Sequence, residues 1–226
     1  MKTFTLIISI SLLVMNGCQN AMVQQKKLNY LALGDSYTIG ESVDEDQRWP
    51  VQLVQTLNSE EVKFDSAKII ATTGWTTDEL LKAIGSEELT ETYDLVSLLI
   101  GVNNQYRGYP IDQFEKEFEE LLQIAILRAG GAYERVFVVS IPDWGVTQFA
   151  IKRGVDSTKV GSEIDQYNTI CNRIAANNNV KYFNITDISR IAKEDQTLLA
   201  PDGLHPSGKM YEQWVQRIAP WILENF

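Results

Sequence analysis

The stretch LNYLALGDS, residues 28–36, sets the pattern for the whole of this 226-residue sequence. Its first six residues are mostly apolar and stop at Gly34, which is typical of a short buried strand that ends in a turn. Four further runs of this kind follow along the chain, at residues 68–73, 95–100, 135–141 and 180–183. The run at 95–100 is the most apolar, so we expect five strands with this one at the centre of the sheet.

Helical patterns fill the gaps between these runs. The expected helices are residues 50–57, a helix opened by the capping-box pattern Thr76-x-x-Glu79 and closed by Gly85, a long amphipathic helix capped by Asp112 and stopped by Gly130-Gly131, residues 162–177, and a closing helix that begins at 207–218. Strands that alternate with helices imply a parallel sheet, because each parallel connection needs a crossover. We therefore predict an α/β fold, a three-layer α/β/α sandwich around a five-stranded parallel sheet, whose ligands bind beyond the carboxyl ends of the strands.

The composition narrows the classes of protein. With 22% charged and 44% hydrophobic residues, the chain has an ordinary globular composition, which excludes disorder, a collagen-like repeat and a polytopic membrane protein. The formal net charge is -10 and no basic cluster exceeds the pair Lys26-Lys27, so nucleic acid is not expected as a partner. A single histidine, His205, and two cysteines almost exclude a zinc site of Cys and His ligands. Cys171 lies in a helical pattern and is expected to be a buried thiol.

The first residues are predicted to be a targeting segment. Lys2 followed by an uncharged apolar run is typical of a secretory signal peptide, residues 1–17, and is too short for a membrane-spanning helix with its flanks. The residues around Cys18 resemble the lipobox of bacterial lipoproteins, and residues 18–27 would then be a tether to a domain that comprises residues 28–226. We favour a lipoprotein that is exported across the inner membrane and anchored through Cys18 in the periplasm or at the cell surface. Simple secretion with an incidental cysteine is the alternative.

Polar residues suited to one kind of chemistry follow the predicted strands. A serine hydroxyl is a weak nucleophile that needs a base, the base needs an orienting carboxylate, and the oxyanion formed by attack needs fixed hydrogen-bond donors. The segments at or beyond the strand ends are Gly34-Asp35-Ser36, Gly74, Gly101-Val102-Asn103-Asn104 and Asp202-Gly203-Leu204-His205.

These segments contain every group that such a reaction needs. We expect Ser36 to attack, His205 to accept its proton and Asp202 to hold the imidazole in the required tautomer. The backbone N–H groups of Ser36 and Gly74, with the side-chain amide of Asn103, are the expected oxyanion hole.

In order and spacing, these segments resemble the four sequence blocks of the SGNH (GDSL-type) hydrolases, over about residues 28–226. The resemblance implies a flavodoxin-like α/β/α fold, hydrolysis of carboxylic esters or thioesters, and no metal or organic cofactor. Two departures are Tyr37-Thr38, where the founding pattern has leucine after the serine, and Asn104, where many members have aspartate. The pattern Gly-x-Ser-x-Gly does not occur, which disfavours the hydrolases that carry their serine on a nucleophile elbow.

Other residues near the strand ends suggest supporting roles. We expect Asp35 to brace its turn by hydrogen bonds and Arg107 to pair with an acidic residue rather than meet an anionic substrate. The acidic stretch 41–46 is expected to be a solvated loop, and a part of the substrate entrance is the alternative. Aromatic residues in loops commonly bind ligands. Five aromatic residues are predicted to lie in loops beside the strand ends, and they are Trp75, Tyr106, Tyr109, Trp144 and Phe149. The first four are expected to contact the substrate.

The sequence therefore predicts a serine esterase that works through an acyl-enzyme intermediate on a small-molecule or glycan ester, such as an O-acetylated carbohydrate or a lysophospholipid. An acyltransferase with the same nucleophile is one alternative. A metal-dependent phosphoesterase that uses Asp35, Asp202 and His205 as ligands is a second. A carbohydrate-binding lipoprotein without turnover is the third.

Overall fold

A computed structural model of the chain describes residues 27–60, 62–87 and 89–226. The predicted signal peptide, Cys18 and all but the last residue of the predicted tether lie outside the described residues. Among the residues described, none of the helices combines the length and the apolarity needed to cross a lipid bilayer.

The described residues form a five-stranded sheet in the order β2-β1-β3-β4-β5, and every neighbouring pair of strands is parallel. This confirms the predicted parallel sheet, with β3 at its centre and all residues of that strand buried. The strands are β1 (Tyr30–Gly34), β2 (Lys68–Ala71), β3 (Leu95–Leu99), β4 (Val136–Val139) and β5 (Lys181–Phe183).

Helices cover the sheet in two layers, as predicted for an α/β/α sandwich. The helix pair α2 and α9 packs together, while α5 packs between α3 and α7 and also contacts β3. The helices are α1 (Ser36–Ile39), α2 (Trp49–Ser59), α3 (Thr77–Ser86), α4 (Val102–Arg107), α5 (Ile111–Arg128), α6 (Gln148–Lys152), α7 (Ser157–Asn177), α8 (Thr186–Arg190) and α9 (Gly208–Asn225).

Several predicted helix ends differ from the observed ones. The capping box at Thr76 is present, but Gly85 lies inside α3 instead of closing it. The N-cap of α5 is Pro110, and Asp112, predicted as the cap, lies in the first helical turn, where its charge favours the helix dipole. Helix α7 begins earlier than predicted because the Asp156 carboxylate caps it by accepting hydrogen bonds from two backbone amides. The short helices α1, α4, α6 and α8 carry too few residues for a hydrophobic period, and the sequence patterns did not predict them.

Two glycines shape the edge of the sheet at which the polar segments meet. A Cβ atom on Gly34 would meet the Thr38 hydroxyl and come within 2.5 Å of the Leu99 carbonyl oxygen, so only glycine fits at the end of β1. Gly101, after β3, has a φ of +126°, and a Cβ atom there would lie 2.6 Å from the Phe114 ring. Gly34 thus allows a close approach of β1 to β3, and Gly101 allows a turn at positive φ. Each is followed by a short helix that carries a candidate site residue.

Candidate active site

The turn after β1 places Ser36 at the first position of α1. Asp35 caps this helix, because its Oδ1 accepts a hydrogen bond from the Tyr37 amide at 3.0 Å and its carbonyl oxygen accepts from the amides of Thr38 and Ile39. Asp35 therefore braces the turn, as expected. Ser36 itself is 4% exposed, and its Oγ makes no hydrogen bond within the described part of the chain, which leaves it able to turn towards a partner.

The loop before α9 pairs His205 with Asp202. The imidazole Nδ1 lies 2.6 Å from Asp202 Oδ2, while the amides of Leu204 and His205 donate to Asp202 Oδ1 at 2.9 and 3.0 Å. Partial burial alone would raise the pKa of the Asp202 carboxyl, but these hydrogen bonds and one from the Ser42 hydroxyl hold the pKa below its usual value. Asp202 is therefore held as a carboxylate, and its partner on the imidazole is Nδ1.

Asn103 and Asn104 follow β3 and make different contacts. Asn103 is half-buried, and its Nδ2 donates to the Trp75 carbonyl oxygen at 2.9 Å, so one of its two amide hydrogens remains for another acceptor. Asn104 is fully buried, and it accepts from the Thr77 amide at 3.1 Å and donates to the Thr77 hydroxyl at 2.7 Å. The side chain of Asn104 thus joins the start of α4 to the start of α3.

Gly74 lies in the loop after β2, and Arg107, the last residue of α4, contacts it. Gly74 has a φ of +90°, and its carbonyl oxygen accepts a hydrogen bond from Arg107 at 2.6 Å. Arg107 also forms an ion pair with Glu79 at 3.3 Å. This is the expected pairing with an acidic residue, and it holds the loop after β2 in place.

A cavity of about 150 Å³ brings five of the predicted site residues together. Ser36, Asn103 and His205 all line it, as do Tyr106 and Trp144, which were expected to contact the substrate. Gly74, Trp75 and Tyr109 are not among the lining residues. Phe149, the fifth aromatic residue predicted to lie beside the strand ends, also lines the cavity. The lining residues that the sequence patterns did not identify are Tyr37, Val102 and Leu204.

These three residues share a signal in the sequence. Tyr37, Val102 and Leu204 are direct neighbours of Ser36, Asn103 and His205, so adjacency to a predicted site residue could have identified them. The ring of Tyr37 also meets the His205 imidazole edge to face, with 5.8 Å between the ring centres.

Aromatic side chains form the apolar wall of the cavity. The rings of Tyr106 and Phe149 pack on Trp144 with centres 5.3 and 6.3 Å away. The indole nitrogen of Trp144 donates to Gln105 Oε1 at 2.8 Å, and Gln105 in turn donates to Glu163 at 2.7 Å. Because its one polar atom is satisfied, Trp144 presents a fixed apolar surface.

The ligand set of the phosphoesterase alternative does not converge. Within the three described ranges of the chain, no group of three or more His, Cys, Asp and Glu side chains lies where it could hold a metal ion.

The thiol of Cys171 is buried, with 1% of the residue exposed, as expected. Burial raises the pKa of this thiol above its usual value.

Comparison with known proteins gives one family match. The family model described as the GDSL-like Lipase/Acylhydrolase family matches residues 32–213. No curated protein sequence matches this chain.

Solved structures match over most of the chain. The lipase/acylhydrolase from Enterococcus faecalis is 23% identical, with 86% of this chain and 95% of that chain covered at a TM-score of 0.61. The esterase EstA from Pseudoalteromonas sp., inhibited by monoethylphosphonate, is 16% identical, with 88% and 98% covered at 0.66. A variant of the acetyl xylan esterase Axe2 from Geobacillus stearothermophilus is 17% identical, with 86% and 94% covered at 0.61. At these identities the structural matches show a shared fold.

The buried carboxyl of Asp35 gives a prediction about stability. Burial raises its pKa to about 7, although the amides of Tyr37 and Gly101 oppose the shift. The pKa of an unfolded aspartate is about 3.9, so the native state binds the extra proton between these values and wild-type stability falls as the pH rises through this window. Asn cannot ionise at this position. We therefore expect the free energy of unfolding of Asp35→Asn, measured relative to wild type, to rise by up to about 4 kcal/mol as the pH increases from about 4 to about 7. Urea unfolding of both proteins at several pH values measures this, and a difference that is constant with pH would contradict it.

Proposed function

The chain belongs to the GDSL-like lipase/acylhydrolase family, and we propose that it is a serine esterase that hydrolyses esters of short carboxylic acids through an acyl-enzyme intermediate. The family match confirms the resemblance to the SGNH (GDSL-type) hydrolases and the prediction of an enzyme that hydrolyses ester bonds. The nucleophile, the roles of the site residues and the acyl length form the proposal.

One observation carries the proposal: Ser36 and His205 line the same cavity, and Asp202 lies against Nδ1 of the imidazole. With Nδ1–H donating to Asp202 Oδ2 at 2.6 Å, the lone pair of the neutral ring is on Nε2. A base with its lone pair on Nε2 and a serine hydroxyl with no other hydrogen bond are the two groups that acyl transfer requires.

In the acylation step, Ser36 Oγ attacks the ester carbonyl carbon and its proton passes to His205 Nε2. The tetrahedral intermediate then collapses, the bond to the alcohol oxygen breaks, and the leaving alkoxide takes the proton from Nε2. Asp202 stays ionised throughout and stabilises the imidazolium that forms in between.

In the deacylation step, water attacks the acyl group on Ser36. His205 Nε2 accepts a proton from this water and returns it to Ser36 Oγ as the carboxylic acid leaves. The enzyme is regenerated with no other reactant, so water and the ester are the only substrates.

We assign the oxyanion hole to three hydrogen-bond donors, of which the Asn103 side chain lines the cavity. The amide of Ser36 is in the first turn of α1, where backbone N–H groups have no partner within the helix. Asn103 still has one free amide hydrogen after its bond to the Trp75 carbonyl oxygen. The Gly74 amide is the third proposed donor, and the bond from Arg107 to the Gly74 carbonyl oxygen fixes the conformation of its loop.

The size of the cavity supports short acyl groups. A volume of about 150 Å³ matches an apolar cavity that takes a benzene-sized group, which corresponds to an acyl chain of about six carbons or fewer. The aromatic wall suits the acyl chain, while Ser36, Asn103 and His205 line the polar side. This supports acetylated or similarly short esters over long-chain lipids.

The nucleophile can be identified by covalent labelling. We expect a phosphonate ester with a good leaving group to label wild-type protein with one equivalent, on the peptide that contains Ser36, and to abolish turnover. Ser36→Ala should take up no label and lose at least about 10³-fold in kcat, while the exposed Ser59→Ala control should behave as wild type. Wild-type turnover by Ser36→Ala, with loss of activity in a chelator, would overturn the serine mechanism in favour of a metal-dependent phosphoesterase.

The oxyanion role of Asn103 predicts a change in kcat. Asn103→Ala should lower kcat by about 10²–10³-fold with little change in KM, because the lost donor acts on the transition state. The exposed Asn172→Ala variant is a matched control, and thermal unfolding of each variant reports any loss of fold. A stable Asn103→Ala protein with wild-type kcat would assign Asn103 to loop structure alone.

The cavity predicts the preference for acyl length. In a series of p-nitrophenyl esters from acetate to palmitate, kcat/KM should stop rising at about six carbons, because further methylenes lie outside the cavity and gain no burial. Phe149→Ala removes part of the apolar wall and enlarges the cavity, so it should move the optimum to longer chains. A wild-type optimum at palmitate would refute the proposed short-chain specificity.

A further inference from the structure

We propose that Ser42 is a positioning residue of the active site, whose hydroxyl fixes the Asp202 carboxylate against the turn that carries Ser36. The inference rests on the proposed function, because it gives Asp202 the role of orienting His205. Ser42 lies in the acidic stretch, residues 41–46, that the sequence predicted to be a solvated loop with a part of the substrate entrance as the alternative.

The contact joins two distant parts of the sequence. Ser42 Oγ donates a hydrogen bond to Asp202 Oδ2 at 2.9 Å, and the residues are 160 positions apart. The same oxygen lies 2.6 Å from His205 Nδ1. The other oxygen, Oδ1, accepts only from the amides of its own loop, at Leu204 and His205. Among the described residues, Ser42 is therefore the partner that reaches the carboxylate from outside the Asp202–His205 loop.

The backbone that carries Ser42 is held to the nucleophile turn. The carbonyl oxygen of Ser36 accepts hydrogen bonds from the amides of Gly40 and Glu41, both at 3.0 Å. The Glu41 carboxylate accepts a hydrogen bond from the Thr73 hydroxyl, which ties the same segment to the end of β2. One short segment thus has the proposed nucleophile at its start and the contact to Asp202 at its end.

The conformation of Ser42 is an independent sign of function. Its φ is +66°, in the left-handed region that favours glycine, and the other non-glycine residue with positive φ among those described is an asparagine, Asn179. Serine in this region costs conformational energy that the surrounding structure must offset. The backbone alone would be served better by glycine, whereas only a side chain can supply the hydroxyl at Asp202.

The chemical consequence concerns the direction of the imidazole. Without the bond from Ser42, the Asp202 carboxylate is held only by amides of its own loop and is free to rotate. The imidazole that is bonded to this carboxylate would then rotate with it. The hydrogen bond from Ser42 ties Oδ2 to the segment that carries Ser36, so that Nε2 stays aligned with the nucleophile. Because small displacements of reacting groups are costly in rate, we expect loss of this bond to lower kcat by about tenfold. KM should not change, because Ser42 does not line the cavity.

Two substitutions at the same position separate positioning from stability. Ser42→Gly removes the hydroxyl and relieves the backbone, so it should unfold at the same temperature as wild type or higher while kcat falls about tenfold. Ser42→Thr keeps the hydroxyl but places a β-branched residue at positive φ, so it should retain most of the turnover at a lower unfolding temperature. Ser86→Ala, an exposed serine whose hydroxyl bonds a carbonyl of its own helix, is the control and should leave both quantities unchanged.

Steady-state kinetics with a short-chain ester and thermal unfolding of these variants test the inference. A purely structural role predicts the opposite order, with Ser42→Gly as active as wild type and Ser42→Thr less active; that order would overturn the inference.

The variant Asp202→Asn distinguishes the two levels of the argument. If Asp202→Asn retains wild-type kcat, the proposed function itself fails. If Asp202→Asn is nearly inactive while Ser42→Gly keeps wild-type kcat, only the role of Ser42 fails. If Ser42 acts through Asp202, adding Ser42→Gly to Asp202→Asn should cause no further loss, and a further tenfold loss in the double variant would contradict the inference.

Discussion

At the end of β1 there is no room for a side chain, and the site depends on that constraint. A Cβ atom on Gly34 would come within 2.5 Å of the Leu99 carbonyl oxygen, so β1 approaches β3 this closely only with glycine at its end. The chain then turns at once into α1, and Ser36 emerges at the edge of the sheet rather than further out in a loop. The carbonyl group of Ser36 holds the start of the next segment, which leads to Ser42. A close packing contact in the core thus determines where the candidate nucleophile and its neighbours lie.

Hydrogen bonds between loops connect the polar side of the site. Asn103 reaches the Trp75 carbonyl oxygen, and Asn104 bonds both the amide and the hydroxyl of Thr77. A buried amide left without partners is costly, which makes such bonds specific for one arrangement of the loops. They fix the loop after β3 to the loop after β2. The bond from Ser42 to Asp202 has the same effect for the loop after β1 and the loop before α9.

The sequence predicted the parts of the molecule that depend on local patterns. The five apolar runs became five parallel strands, and the glycines after the first three runs mark the edge of the sheet where Ser36 and His205 line one cavity. Contacts between residues distant in sequence left no such pattern. Helix α4 is too short for a hydrophobic period. Asn104 departs from a family block, and nothing in the sequence indicated that its side chain bonds the amide and the hydroxyl of Thr77. Ser42 lay in a charged stretch whose composition did not indicate this contact, since neither its positive φ nor its partner 160 positions away is visible in composition.

The two walls of the cavity are linked, and this bears on how specificity and catalysis relate in this protein. The aromatic wall comes from α4 and from the connection between β4 and α7, whereas the polar wall comes from the strand-end loops. The amide of Phe149 nevertheless donates to the Gly203 carbonyl oxygen at 3.0 Å, inside the loop that runs from Asp202 to His205. Leu204 of that loop also lines the cavity. The wall that would contact the acyl group and the loop that holds the proposed base are therefore joined by a backbone hydrogen bond, so a substitution that shifts the backbone at Phe149 also disturbs the loop of His205.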